Sequence, residues 1–263
     1  MVMPLADDNS DRRLFPYVNI TLIVINVLVF VFFQGLGTND RFTLAWATVP
    51  HEIVTGRDDD LPHRPVVDPD TGLRQLFPEE PKSAAAIYLT LLVSMFMHGS
   101  ILHIAGNMLF LYIFGDNVED AMGHFRYIIF YLVCGLLASL AHVFVTVLLY
   151  GADSQQAMVP SLGASGAISG VLGGYLLLFP HKRVTALIFR VITDVPAFVA
   201  IGMWFVFQLI SGLQMLGGRG SGGVAYAAHV GGFVAGLALV KLFTPAANVA
   251  MVLPGPVDPE DRW

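Results

Sequence analysis

Residues 162–180 read LGASGAISGVLGGYLLLFP. The stretch has no charged residue, and its length approaches the roughly 20 apolar residues that a helix needs to cross a bilayer. Reading it as a membrane helix sets the fold, because stretches of the same kind lie at about 16–34, 100–119, 125–149, 195–216 and 224–243. Turn-forming residues separate them. Gly151–Asp153 and Pro160 precede the quoted stretch, Pro180-His181-Lys182-Arg183 follow it, and Gly217–Gly223 divide the last two. The stretch at 100–119 is the most polar, yet Met108–Phe114 within it stays apolar. The expected fold class is an all-α membrane protein, a bundle of six transmembrane helices.

Composition agrees. Of 263 residues, 55% are hydrophobic and 13% charged, against about 25% charged in an ordinary soluble domain. Mean hydropathy is +0.67. Such a chain is neither disordered, nor a nucleic-acid binder with a basic face, nor an ordinary water-soluble enzyme. The net charge of −6 does not oppose this, because the acids cluster outside the apolar runs. The single cysteine, Cys134, permits no internal disulfide and no cysteine-built metal cage, and it reads as a small buried hydrophobe.

The chain divides into three parts: a cytoplasmic N-terminal segment (1–13), a six-helix domain (14–243) and a flexible C-terminal tail (244–263). Arg12 and Arg13 precede the first apolar run, as in a signal sequence. That run, Tyr17–Phe33, exceeds the about 7–15 residues usual for such a region, and no A-x-A-like site follows. An uncleaved anchor is therefore expected. Residues 35–99 form a long outer loop whose middle, Gly56–Lys82, is acidic and proline-rich and reads as solvated. Residues 83–97 turn apolar again but are too few to cross alone, so they are expected to lie at the interface or re-enter.

Basic residues orient the bundle. Arg12, Arg13, Arg126, Lys182, Arg183, Arg190 and Lys241 fall on one side if six helices alternate, and the opposite short loops hold only Arg219. The N-terminus is therefore expected in the cytoplasm and the loop 35–99 outside; the expected location is the cell (plasma or inner) membrane.

Polar side chains inside a bilayer are costly, so each asks for a reason. His98, His103 and Asn107 lie around the start of the second span, Ser165 in the fourth and His229 in the sixth. All three spans enter from the outer side. The expected positions of Asn107, Ser165 and His229, one to two turns into their helices, put them at one depth, roughly 5–12 Å below the surface. A serine hydroxyl needs a base to become a nucleophile, and histidine is the usual base. Gly166-x3-Gly170 and Gly232-x3-Gly236 supply small faces on which the two helices can approach closely. His103 and Asn107, at i and i+4, share a helix face and could donate hydrogen bonds to a developing oxyanion, with the Ser165 backbone N–H as a third donor.

These residues, His98-x4-His103-x3-Asn107, Gly163-Ala164-Ser165-Gly166 and His229-x2-Gly232-x3-Gly236, resemble the rhomboid intramembrane serine proteases over about 14–243. Glu119 and Pro196-Ala197-Phe198 also look rhomboid-like. The resemblance implies a Ser165–His229 dyad without a triad acid. His103, Asn107 and the Ser165 backbone would form the oxyanion hole. His98, Gly163, Gly166 and Gly232 would be structural near the site. The fifth span would be a lateral gate and the loop before the sixth a cap. Substrates would be single-pass membrane proteins, cut near the outer face at small residues; no cofactor and no metal is implied. Two departures stand out. No Trp-Arg pair occurs in the first outer loop, and Ser169 stands where some members place an aromatic that stacks on the histidine. How the imidazole is held is thereby left open.

Other chemistries fail on sequence. His51-Glu52 is followed by Ile53-Val54-Thr55, so H-E-x-x-H is absent. Asp116 and Asp194 are expected at helix ends, which does not suit a pair of intramembrane aspartates. Residue 167 is alanine, so no G-x-S-x-G elbow exists. Gly218-x-Gly220-x2-Gly223 lies between membrane helices and reads as a loop. Ser139, Ser169 and Ser211 are expected to bond a carbonyl one turn back. His124 and His142 are expected to pack helices or sit at the interface, and His51, His63 and His181 to lie in loops without a role. The alternatives to a protease are a catalytically silent rhomboid-like protein that binds transmembrane helices, and a transporter or channel.

Overall fold

A computed structural model describes residues 2–58, 66–67, 74–75, 83–216, 226–246 and 248. Most of the acidic stretch, the glycine-rich loop at 217–225 and almost all of the tail lie outside them. The expectations of a solvated acidic stretch, a cap and a flexible tail therefore fall outside the described residues.

The chain opens with a strand, β1 (Val2–Asp7), and a helix, α1 (Tyr17–Leu28), which a π-type turn extends to Phe33. Two short helices follow, α2 (Asp40–Trp46) and α3 (Pro50–Thr55), then a minimal strand pair, β2 (Val66–Val67) and β3 (Arg74–Gln75). Next come α4 (Ala84–Val93), α5 (Ile101–Met122), α6 (His124–Tyr150) and α7 (Ser165–Leu178). Strands β4 (Arg183–Ile188) and β5 (Val191–Pro196) lead into α8 (Ala197–Leu216) and α9 (Tyr226–Phe243). The chain is an integral, multi-pass membrane protein: among the described residues α5, α6 and α9 are long and apolar enough to cross a bilayer.

The helical membrane fold expected from the sequence is observed, and a small sheet accompanies it: β1, β4 and β5 pair antiparallel in the order β1-β4-β5. The run 181–194 lies between the expected fourth and fifth spans and carries charge. It is also dense in β-branched residues, and Val184 and Ala186 alternate inward along β4. Phe189 and Arg190 make the two-residue hairpin turn, both at positive φ, without the Asn or Gly that usually announces one. Asp194 consequently stands on β5 rather than at a helix end. The bounds expected for the stretch at 162–180 need correction, because its helix runs only from Ser165 to Leu178.

Buried polar side chains knit the helices at the end of the bundle that carries β1. Glu119, fully buried on α5, accepts the backbone N–H groups of Val18 (3.0 Å) and Asn19 (2.7 Å) and so caps the start of α1. Asn19 Nδ2 donates to Leu111 O, and Tyr127 Oη on α6 donates to Asn19 Oδ1. Asp7, at the end of β1, accepts from Tyr175 Oη on α7 (2.8 Å) and from Asn117 Nδ2 on α5 (2.7 Å).

Burial pushes the Asp7 carboxyl up to about 7, and nearby Asp116 adds to this, while the Tyr175 and Asn117 hydrogen bonds and Lys182 pull it down. The docked strand thus binds a proton more tightly than the free strand. Its stabilisation is full below the ordinary value of 3.8 and is lost as the pH rises through about 7. Hydrogen exchange of residues 2–8, corrected for intrinsic rates, is expected to speed up as the pH rises through about 7. Asp7→Asn should flatten the change; a profile unaltered by Asp7→Asn would assign it elsewhere.

Candidate active site

Small residues bring α7 and α9 together. A Cβ on Gly232 would overlap Gly166 O, one on Gly236 would overlap Gly170 O, and one on Gly173 would overlap Phe233 O. The two helices therefore pack backbone against backbone. Across this contact Ser165 Oγ and His229 Nε2 lie 2.8 Å apart. Cys134 on α6 is buried and faces the same seam at Gly170.

Ser165 is not one to two turns into its helix, as the sequence suggested. It is the first residue of α7, and its backbone N–H is therefore one of the helix's unpaired donors. The chain before it, 151–164, is irregular and tied down by neighbours. Thr48 and Ser161 exchange backbone hydrogen bonds, and Gly163 N–H donates to Ser94 O (2.9 Å). Irregular backbone at membrane depth requires this kind of protein shielding. His51 takes part: it is buried on α3 rather than in a loop, its N–H donates to Ala157 O, and its Nδ1 lies 3.0 Å from Ala152 O.

His103 and Asn107 stand one turn apart on α5. Ser100 Oγ accepts the N–H of His103 and starts the helix. His103 Nδ1 accepts the N–H of Gly99 (3.3 Å), so the ring proton sits on Nε2. Gly163, at φ +130°, leaves a gap beside that nitrogen: a Cβ there would lie 3.1 Å from His103 Nε2 and 3.6 Å from Ser165 Oγ. The buried Nδ2 of Asn107 has no hydrogen-bond partner among the described residues. A small cavity of about 20 Å³ adjoins Ser165, lined in part by Thr48, Ser94, Ser139 and Ser161. It has room for one water.

His98 is fully buried and packs edge-on against His103, with ring centroids 5.1 Å apart. Gln34, just beyond α1, holds its backbone from both sides: Gln34 Nε2 donates to His98 O and His98 N–H donates to Gln34 Oε1. Ser169 donates to Ser165 O one turn back. His124 contacts Glu119.

Sequence reasoning missed Gln208. Its Oε1 lies 2.9 Å from His229 Nδ1, and Trp204, one turn earlier on α8, flanks the ring at 6.2 Å. A strongly polar residue inside an apolar span was the available signal.

A sequence profile of the Rhomboid domain matches residues 86–246. Rhomboid protein 1, mitochondrial, of Saccharomyces cerevisiae is 32% identical over 151 residues, 57% of this chain and 40% of that protein. Rhomboid protease GluP of Bacillus subtilis is 30% identical over 160 residues, 60% of this chain and 27% of that protein. The human presenilin-associated rhomboid-like protein, mitochondrial, is 34% identical over 99 residues, 38% of this chain and 24% of that protein. In each case the match spans less than half of the relative's length.

Proposed function

The chain belongs to the rhomboid family, and on that premise we propose that it is an intramembrane serine endopeptidase that hydrolyses peptide bonds in or near transmembrane segments of membrane proteins. The observation that carries the reading is the 2.8 Å contact between Ser165 Oγ and His229 Nε2. Apart in sequence and on different helices, the two meet only because glycines line the seam between α7 and α9. A nucleophile and a base at this distance are the working parts of acyl transfer.

In the proposed reaction His229 Nε2 takes the hydroxyl proton of Ser165 as Oγ attacks the scissile carbonyl carbon. The carbonyl oxygen becomes an oxyanion in the gap over Gly163. It is met there by His103 Nε2–H, the Asn107 amide and the backbone N–H of Ser165. His229 passes its proton to the leaving amine, and the C–N bond breaks to leave an ester on Ser165. A water, deprotonated by His229, then attacks the ester carbonyl. The bond from the carbonyl carbon to Oγ breaks, His229 returns the proton to Ser165, and the new carboxylic acid departs and ionises in water. The small cavity beside Ser165 could hold that water. No metal or cofactor enters the scheme.

The bundle end that carries β1, Arg12 and Lys182 is assigned to the cytoplasm, and the dyad to the outer half of the cell membrane. The partners are the bilayer and single-pass membrane proteins cut near the outer face at small residues, entering past α8.

A fluorophosphonate probe tests the reading. The folded protein in detergent or liposomes should be labelled on Ser165, and heat-denatured protein or His229→Ala should not. An unlabelled folded protein that still retains transmembrane peptides would instead be a silent helix-binding member. Asn107→Ala should lower kcat about 10²–10³-fold with little change in KM. Unchanged turnover of a transmembrane substrate would remove Asn107 from the oxyanion hole.

A further inference from the structure

We propose that Gln208 is a positioning residue for His229: its side-chain carbonyl fixes the imidazole with the proton on Nδ1, which leaves Nε2 as the acceptor facing Ser165. This rests on the reading of Ser165 and His229 as a catalytic pair. The two ring nitrogens are engaged from opposite sides, Nδ1 by Gln208 Oε1 at 2.9 Å and Nε2 by Ser165 Oγ at 2.8 Å. A neutral imidazole carries one N–H, and a hydroxyl can either give or accept a hydrogen bond. Ser165 alone therefore leaves the ring undetermined, and the inactive tautomer, donating Nε2–H to Oγ, is equally satisfied. An amide oxygen can only accept. Opposite Nδ1 it requires the proton there, and the serine hydroxyl must then donate to Nε2.

The position one turn after Ser165 gives the ring no support, because Ser169 is spent on Ser165 O at 2.6 Å. Support comes instead from α8, where Trp204 and Gln208, four residues apart, present one face to the ring. Phe205 of the same helix stacks on Phe233 of α9, with centroids 4.3 Å apart, and seats α8 there. The dyad is therefore oriented by a third helix. A shift of α8 by about 1 Å would take the Gln208 contact beyond hydrogen-bond reach and release the ring. Among the described residues, the titratable groups around His229 are His103 on α5, His142 on α6 and Tyr226 on α9. Since none of them is a carboxylate, an acid placed at 208 would be a new charge beside the ring.

The experiment compares wild type, Gln208→Leu, Gln208→Glu and Ser165→Ala in the full chain. It measures fluorophosphonate labelling rates and cleavage of a transmembrane substrate from acid to alkaline pH, with thermal unfolding as the check on folding. Gln208→Leu should lower kcat and the labelling rate about 10- to 100-fold with KM within about twofold. Gln208→Glu should restore most of the rate and move the acid limb of the profile upward by about one pH unit or more. The Glu variant keeps the test decisive if the Leu variant does not fold. Wild-type rates in Gln208→Leu, or an acid limb unmoved in Gln208→Glu, would overturn the positioning role. If the wild type shows neither labelling nor cleavage that Ser165→Ala abolishes, the protease reading fails and takes this inference with it.

Discussion

Ser165→Ala will slow cleavage of a transmembrane substrate by about 10³-fold or more, His229→Ala will do the same, and the double variant will be no slower than either single. The third result carries the physical content. Two groups that act independently lose their contributions additively in free energy, whereas a nucleophile and the base that activates it are useless apart. On the proposed reading, the 2.8 Å separation predicts the second behaviour. KM should change little, because in the proposed reaction both groups act on the scissile bond rather than on the rest of the substrate helix. Folding should change little for Ser165→Ala, which forfeits about 1 kcal/mol of hydrogen bonding at most. Cleavage of a fluorogenic transmembrane substrate in liposomes, with thermal unfolding of each variant beside it, reads all of this. Additive losses would mean that the contact seen between the side chains is not used in the reaction.

What could be read from the sequence followed the range over which each signal acts. The long apolar runs are local, and α5, α6 and α9 lie where hydropathy puts them. The glycine pairs on α7 and α9 were legible because close helix approach needs small residues at fixed intervals, and the carbonyls of Gly166 and Gly170 occupy the spaces they leave. The three-stranded sheet was not legible, since β4 and β5 are short and their third strand, β1, lies almost 180 residues away. The start of α7 was misplaced for a related reason. Hydropathy cannot distinguish a helix from an irregular segment shielded by Thr48 and Ser94, partners distant in sequence. Glu119 was noticed without its work being visible, because the N–H groups it accepts belong to the start of α1, 100 residues earlier. Gln208 was passed over as one polar residue in an apolar helix, although the cost of burying an amide in a membrane is itself a signal.

The glycine seam supports the second large effect. Gly232→Ala will cut fluorophosphonate labelling of Ser165 by about 10²-fold, and Gly236→Val will destabilise the bundle by at least about 1–3 kcal/mol. On Gly232 the new carbon would meet the carbonyl of Gly166, the residue next to the serine, and on Gly236 it would meet the carbonyl of Gly170. Both obstacles are backbone atoms of a hydrogen-bonded helix, so no side chain can rotate out of the way. The helices must separate instead, by about an ångström to restore van der Waals contact. A separation of that size at Gly232 opens the 2.8 Å Ser165–His229 contact beyond hydrogen-bond reach. Gly202 on α8 supplies the control, since a Cβ there meets nothing within 4 Å among the described residues. Gly202→Ala should keep wild-type labelling and gain up to about 1 kcal/mol from better helix propensity. Thermal unfolding in detergent and labelling rates of the three variants separate the effects. If Gly232→Ala labels and melts like Gly202→Ala, the two helices are not in backbone contact, and the dyad would need some other means of assembly.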